Sequence, residues 1–443
     1  PGSLSIGTVY TCVIVSDGRL KCTGSNRFGS FGDGTYTDSP TIPVFSSVVQ
    51  SPASLANGAW NQCAILNGLP YCWGLSNYSQ TGDNTLINRI TPLEMTSSLS
   101  GVSLIAAFHR HACGIVGGVI KCWGYNNYGS IGDNTYYATA TPTIPLGLSG
   151  GGASGVSVGS DFSCGIVGGA AKCWGRNEFG QLGTNVTSTA SIGDLAERIL
   201  VPQSVSGISA SATAISNGGS HACAVVAGGA RCWGDNQYGQ LGNNSTTASA
   251  VPVSVSGLGT GVTPLPSGTS FTCALKDSGA VVCWGRNDRA QLGDNTATNR
   301  AVPVQVSGVT SGATVIGAGG SNICAVISGA VKCWGMNSSG QLGDNTVTQR
   351  GVPTLASGLT SGGTSVCAGN VFSCAVVSGA AHCWGGNISG QLGNGTVASS
   401  ARPVVASGLT SGMSAVACGT RHAIVTPAVG LPLGMGTDGD ANL

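Results

Sequence analysis

The chain has 443 residues, with 18 Lys or Arg against 17 Asp or Glu, a net charge of +1 and only 8% charged residues, where an ordinary soluble domain has about 25%. So few cations, with no basic cluster, exclude recognition of nucleic acid through its phosphates and attachment to a membrane surface through a polybasic patch. No apolar run reaches the roughly 18 residues of a membrane helix, and the 73 glycines and 18 cysteines direct attention to turns and disulfides.

Sixteen cysteines fall in eight pairs along the chain: Cys12/Cys22, Cys63/Cys72, Cys113/Cys122, Cys164/Cys173, Cys223/Cys232, Cys273/Cys283, Cys324/Cys333 and Cys374/Cys383. Successive first cysteines lie 50 or 51 residues apart, except for one step of 59 from Cys164 to Cys223. A fixed period of this length marks a repeat architecture. Between Cys63 and Cys72 the centre of the segment is Asn67-Gly68, a strong hairpin signal because a type I′ turn needs positive φ at both central residues. Counting outward, Cys63 faces Cys72, and the same count is made around Gly117-Gly118, Gly168-Gly169, Gly228-Gly229, Ser328-Gly329 and Ser378-Gly379. Two units have one residue more and a three-residue turn ending in glycine, Ser16-Asp17-Gly18 and Asp277-Ser278-Gly279, which a bulged turn restores to register. Each pair therefore sits directly opposed on antiparallel strands, about 4.5 Å apart at Cα, within reach of a disulfide. Zinc sites favour the closer Cys-x-x-Cys spacing, so the sixteen are assigned to one hairpin disulfide per unit. Such pairing implies an oxidising compartment and a secreted, extracellular protein.

The seventh unit shows the repeat most clearly. Residues 314–319, 323–327 and 331–334 read as three strands, a loop covers 337–346, and 352–355 makes a short fourth strand. Proline recurs in that last strand, as Pro92, Pro145, Pro202, Pro252, Pro303, Pro353 and Pro403. Since proline cannot donate to a ladder, the fourth strand is the outer edge of its sheet. Four short strands per 50 residues, repeated radially, predict an all-β propeller of four-stranded blades.

The run Trp174-Gly175-Arg176-Asn177-Glu178-Phe179-Gly180-Gln181-Leu182-Gly183, with copies beginning at Trp233, Trp334 and Trp384, resembles the repeat of the regulator of chromosome condensation propellers. The segment 369–375 fits the same pattern, and the resemblance extends from about residue 4 to 425. It implies a propeller whose members usually have seven blades. Here the sequence departs from the family: eight complete units are expected, seven being the alternative, in a single domain over 1–425. A ninth half-unit, 414–425, either closes the ring beside the N-terminal strand or docks on a neighbouring chain. Cys367 and Cys418 lie outside the pairing pattern, on equivalent strands but one position out of register. They form a candidate extra disulfide or are two small buried hydrophobes. Residues 426–443 are a Gly- and Pro-containing tail.

No dinucleotide, phosphate-loop or metalloprotease motif is present, so no catalytic residue, metal or cofactor is assigned. His111, His221 and His422 share one repeat position, which suggests a structural hydrogen bond; His382 adjoins Cys383 and His109 is irregular. Asp83, Asp133, Asp294 and Asp344 stand in Gly-Asp-Asn-Thr, as turn caps rather than calcium ligands. In the loop after Trp-Gly, units one to five carry Phe28, Tyr78, Tyr128, Phe179 and Tyr238, whereas units six to eight carry Arg289, Ser339 and Ser389. This divides one rim into an aromatic and a polar arc, the aromatics being binding anchors or packing beneath the loop. The long fourth repeat adds Asp194, Glu197 and Arg198 to the candidate rim. Asn77, Asn185, Asn243, Asn244, Asn337, Asn387 and Asn394 begin glycosylation sequons. The resulting expectation is a secreted, non-enzymatic structural or interaction propeller that binds copies of itself, as a homo-oligomer or extracellular filament, sheath or surface layer. The alternative is a discrete propeller that binds or inhibits another protein.

Overall fold

The computed structural model describes residues 5–427 apart from 7–9, 15–18, 25, 51–53, 58–60, 67–68, 77–80, 82–84, 86, 95–101, 109–110, 187–197, 263–265, 389–390, 408 and 419–422. A unit is built outward from its central hairpin. In the seventh, Ser328 and Gly329 take φ of 49° and 80°, the two left-handed positions of a type I′ turn. This sets Asn322–Ile327 against Ala330–Gly335 with Cys324 opposite Cys333. Ala313–Ala318 pairs with the hairpin on one side and Arg350–Leu355 on the other. Gly117-Gly118, Gly168-Gly169 and Ser378-Gly379 adopt the same left-handed pair. In the fifth unit the turn is Ala227-Gly228 rather than Gly228-Gly229, because Val226 pairs with Gly229 and the positive φ angles, 50° and 78°, belong to Ala227 and Gly228.

The opposed cysteines are bonded. Disulfides join Cys113–Cys122, Cys164–Cys173, Cys223–Cys232, Cys273–Cys283, Cys324–Cys333 and Cys374–Cys383, with Cα atoms 4.0–4.1 Å apart. Cys12 stands opposite Cys22 and Cys63 opposite Cys72; Cys22 and Cys72 are disulfide-bonded, while the side chains of Cys12 and Cys63 lie outside the described ones.

Among the described residues there is no helix, and the strands form seven four-stranded sheets, one three-stranded sheet and one two-stranded sheet, each of antiparallel neighbours in chain order. The three-stranded sheet is the sixth. Of its first strand the described residues form single bridges at Val262 and Ser267, and Pro266, next to the second, lacks an N–H group. Proline occupies the outer strand as expected, except that the third unit places Pro142 inside Thr139–Thr143 and Pro145 just beyond it. The two-stranded sheet is the half-unit, Met413–Cys418 paired with Ala423–Pro427.

The core lies between sheets. One cluster joins Phe271, Val281, Leu292 and the Cys273–Cys283 bridge of the sixth sheet to Ile316, Ile323 and Trp334 of the seventh; another joins the Cys164–Cys173 bridge to Ala222 and Trp233 of the next sheet. Each disulfide thus supplies half of an apolar wall against which the following sheet's Trp packs, and the largest fully buried side chains include Trp73, Trp174, Trp233, Trp284, Trp334 and Trp384.

A polar clasp accompanies each wall. Trp174 Nε1 donates to the carbonyl of Ser130 in the preceding unit at 2.8 Å, and Ser163 Oγ donates to the same carbonyl at 2.9 Å. His111 Nε2 lies 3.0 Å from Ser163 Oγ. The same triangle recurs as His221–Thr272–Gln240, at 3.0 and 3.4 Å, and with Asn in the histidine's place as Asn322–Ser373–Gln341, at 3.1 and 2.9 Å. Because the hydroxyl donates to a carbonyl, the imidazole must be protonated at Nε2. The shared histidine position is a hydrogen bond between neighbouring sheets at His111 and His221; His422 and His109 lie outside the described residues.

Two predictions follow from this frame. Ala227 is exposed and left-handed, a conformation that a residue with Cβ tolerates poorly and Asn accepts. Ala227→Asn is expected to raise stability by about 0.5–1 kcal/mol, read from the urea midpoint at unchanged slope. His221 is fully buried, desolvation lowers its pKa from 6.5 to about 4, and its Nδ1 faces no acceptor. Between about pH 6.5 and 4 the unfolded chain therefore binds a proton that the folded chain refuses. Stability is full above pH 6.5 and falls, by an amount on the order of 3 kcal/mol, as pH descends towards 4. His221→Asn, which copies Asn322, should flatten that part of the stability–pH curve; an unchanged slope would refute the assignment.

Candidate binding rim

The loop between the third and fourth strands carries the candidate rim, and a buried asparagine organises it. Asn337 accepts the Leu342 amide at its Oδ1, 2.9 Å away, while its Nδ2 donates to the carbonyls of Thr346 and Thr348 at 3.1 and 2.9 Å. Asn126 and Asn287 hold their loops in the same manner. The aspartate of Gly-Asp-Asn-Thr completes the turn: Asp344 accepts from the Thr346 amide and hydroxyl at 3.1 and 2.7 Å and from Arg350 Nε at 2.6 Å. Burial alone would raise the Asp344 carboxyl, but the hydrogen bonds from Thr346 and Arg350 outweigh it and hold the pKa below the ordinary carboxylate range. Asp294 behaves alike, with Thr296 and Arg300 as its donors. These carboxylates spend their lone pairs on protein donors, and no three His, Cys, Asp or Glu side chains gather as a metal site among the described residues. Asp83 lies outside them.

The loop reaches into the next unit at three levels. Its Gln341 carbonyl receives Trp384 Nε1 at 2.9 Å. Gly343, at φ 73°, leaves the space that Trp384 fills, since a Cβ there would stand 2.7 Å from the indole. The Asn345 amide donates to the Ala401 carbonyl of the next outer strand at 2.8 Å. The motif that resembles the family repeat is therefore a joint between neighbouring sheets.

The aromatic position belongs to the same joint. Tyr128 is half-buried beneath Arg176 of the next unit, whose guanidinium lies 5.3 Å from the ring centre, and Tyr238 beneath Arg286 at 5.2 Å. Phe28 is half-buried with Arg27 at 5.3 Å, and Phe179 is half-buried beside Gln181, whose Oε1 accepts its amide at 2.8 Å. Tyr78, Asp194 and Glu197 fall outside the described residues. Arg289 is exposed and Ser339 half-buried in the polar arc; Ser389 lies outside.

One place on the rim gathers more. Arg198, the first residue of Arg198–Ser204, lies 5.7 Å from the Tyr128 ring and 5.9 Å from the Tyr136 ring. Tyr136 and Tyr137 are exposed by 43% and 66%, their hydroxyls 3.0 Å apart and their ring centres 4.4 Å apart. The hydrogen bond and charge of Tyr136 raise the Tyr137 phenol above its ordinary pKa. Arg176 pairs with Glu178, whereas no carboxylate among the described residues pairs with Arg198. The result is two open tyrosine faces beside a guanidinium that no described carboxylate pairs with. Sequence reading found Tyr128 and Arg198 and missed Tyr136, Tyr137 and Arg176. The signals were present: an adjacent Tyr pair after Gly-Asp-Asn-Thr, and Arg two residues after Trp174 and Trp284, above the preceding unit's aromatic.

Two sequons are closed. Asn337 and Asn387 are fully buried with their amide nitrogens bonded inside the loop, which excludes a sugar on either in the fold; Asn185 and Asn244 are exposed.

Comparison with known proteins agrees with this geometry. The family model described as the regulator of chromosome condensation (RCC1) repeat matches residues 173–225, 228–275, 328–376 and 378–426, and a second model of that repeat matches 267–291. No curated protein sequence matches the chain. Among solved structures, human WBSCR16 superposes with a TM-score of 0.60 at 20% identity, over 80% of this chain and 97% of that one. Prp20p from Saccharomyces cerevisiae, described with its binding to Gsp1p and histones, gives 0.59 at 18% identity, over 80% and 87%. Yeast RCC1 (Prp20) bound to Kap60 gives 0.59 at 17%, over 80% and 85%. At these identities the likeness is one of fold. With its joints, sheets and repeat signature in agreement, the chain carries RCC1-type repeats and has the fold of the RCC1 repeat propellers.

Proposed function

We propose that this propeller is a secreted, non-enzymatic interaction module that holds a protein partner on the rim formed by Tyr128, Tyr136, Tyr137 and Arg198. The observation that carries the reading is the pairing of exposed Tyr136 and Tyr137 with Arg198, whose guanidinium lies 5.9 Å from the Tyr136 ring centre. Tyr and Arg are the residues in which interface energy concentrates, and a guanidinium flanked by tyrosine rings suits a surface carboxylate on the partner. The buried hairpin disulfides support an oxidising, extracellular setting, and the yeast relatives are described in complex with proteins or with protein-binding properties. The scarcity of basic residues argues against carrying over binding to nucleic acid.

Self-association into a filament, sheath or surface layer is the second reading, favoured by one observation. Tyr36, Val186, Val347, Ile388 and Val397 are exposed apolar side chains on the same set of loops as Tyr136 and Tyr137, on a surface with little charge to keep copies apart. The proline-bearing outer strands oppose the other route, edge-to-edge sheet addition.

The triple variant Tyr136→Ser/Tyr137→Ser/Arg198→Ala tests both. In crosslinking against an extracellular protein fraction, partners captured by the wild-type chain should fall about tenfold or more with the variant; equal capture overturns the rim. If the partner is a second copy, sedimentation and electron microscopy of concentrated wild-type protein show assemblies that the variant lacks. Isolated single discs at high concentration would defeat the self-association reading.

A further inference from the structure

We infer that Cys367 and Cys418 form a disulfide that joins two different sheets and fastens the terminal half-unit into the ring. Cys367 lies in Gly363–Ala368, the first strand of the eighth sheet, and is disulfide-bonded. The cysteine opposite it on the neighbouring strand, Cys374, is not its partner, because Cys374 is bonded to Cys383. The five other described bridges use ten more cysteines. Cys22 and Cys72 face Cys12 and Cys63 across their own hairpins. Cys418, the last residue of Met413–Cys418, is the cysteine that remains.

The geometry of the two strands leads to the same pair. Met413–Cys418 lies against Gly363–Ala368, and Ser365 stitches them together: its Oγ accepts the Val416 amide at 2.9 Å and donates to the Val416 carbonyl at 3.3 Å. Alternate residues of a strand share a face. Two steps onward from Ser365 is Cys367, and two steps onward from Val416 is Cys418. Both pairs are separated by 51 residues, the same separation at which Ser216 Oγ meets Ser267 Oγ across an earlier pair of sheets, at 3.4 Å. Neighbouring first strands are thus staggered by one residue relative to the 50-residue repeat. The single-position mismatch between Cys367 and Cys418 in the repeat alignment is the offset that brings them level.

The seventh unit shows where a side chain at this position points. Gly317 occupies the place of Cys367 one repeat earlier, and a Cβ built there would stand 2.8 Å from Cys367 Cα and 3.0 Å from the Val366 carbonyl. A side chain at this level is aimed at the next first strand, so Cys367 is aimed at the segment that ends in Cys418. The half-unit also belongs to the eighth sheet's core, since Met413 and Val416 are buried against Phe372 and the Cys374–Cys383 bridge. Its second strand, Ala423–Pro427, lies against Tyr10–Ile14 of the first sheet. The bridge therefore ties the last full sheet to a ribbon that itself touches the first. The described hairpin bridges span 9 or 10 residues within a sheet, whereas this one spans 51 residues and two sheets. The bond forms by exchange with a disulfide oxidant: the two thiols lose two protons and two electrons, and the oxidant is reduced to its dithiol.

Protease digestion of the full chain under non-reducing conditions, followed by mass spectrometry, should yield a linked pair of peptides containing Cys367 and Cys418 from a monomeric band. A free thiol at Cys418, or a link from it to a second chain, overturns the assignment. Its role is read separately with Cys367→Ser/Cys418→Ser, after checking that the hairpin bridges remain. Limited proteolysis should release residues beyond 405 at least tenfold faster than from the wild-type chain. Wild-type protection in that variant would show that the bond does not fasten the half-unit.

Discussion

The structure depends on one hydrogen bond repeated around the ring, from the indole N–H of a unit's Trp to a carbonyl in the preceding unit's loop. Trp73, Trp174, Trp233, Trp284, Trp334 and Trp384 each make it, at 2.8–3.1 Å. A buried Trp that could not place its N–H would carry an unsatisfied donor in an apolar wall. The acceptor loop is therefore constrained by the neighbour rather than by its own sheet. The glycine beneath the indole, the asparagine that holds the loop and the hydroxyl sharing the carbonyl all serve this contact. A four-stranded sheet of this size cannot bury both faces alone, so stacking supplies the core and the clasp sets the spacing.

The proposed binding rim is a by-product of the same joint. Residues placed to cover the seam between sheets, Arg176 over Tyr128 and Arg286 over Tyr238, also present their outer edges to solvent. The third and fourth units add Tyr136, Tyr137 and Arg198 to the seam, and the geometry there turns from packing to an open platform.

Cysteine serves two purposes in this chain. The hairpin bridges substitute for the large apolar side chains that a sequence rich in Gly, Ser and Ala lacks, and they stand in the wall against which the next Trp packs. The proposed Cys367–Cys418 bridge would cross a seam, at the place where repetition stops.

The sequence by itself determined the hairpins, the six hairpin disulfides described in the structure and the outer edge. A two-residue turn, an even count between cysteines and a proline in a strand are local constraints whose geometry needs no distant partner. Local reading failed by one residue at Ala227, because left-handed φ was assigned by residue type and the glycine pair was chosen over the register count. It placed Pro145 in a strand that ends two residues earlier, where Pro142 holds the position. What lies between units was decided only by the tertiary structure: which carbonyl receives each indole, why the Gly-Asp-Asn-Thr carboxylates are saturated, why Tyr128 is half-covered and Tyr137 open, and how Cys367 and Cys418 come level. These contacts join residues about 30 to 60 positions apart across a stagger of one residue. That stagger arises from the packing of one twisted sheet on another and has no expression within a single repeat.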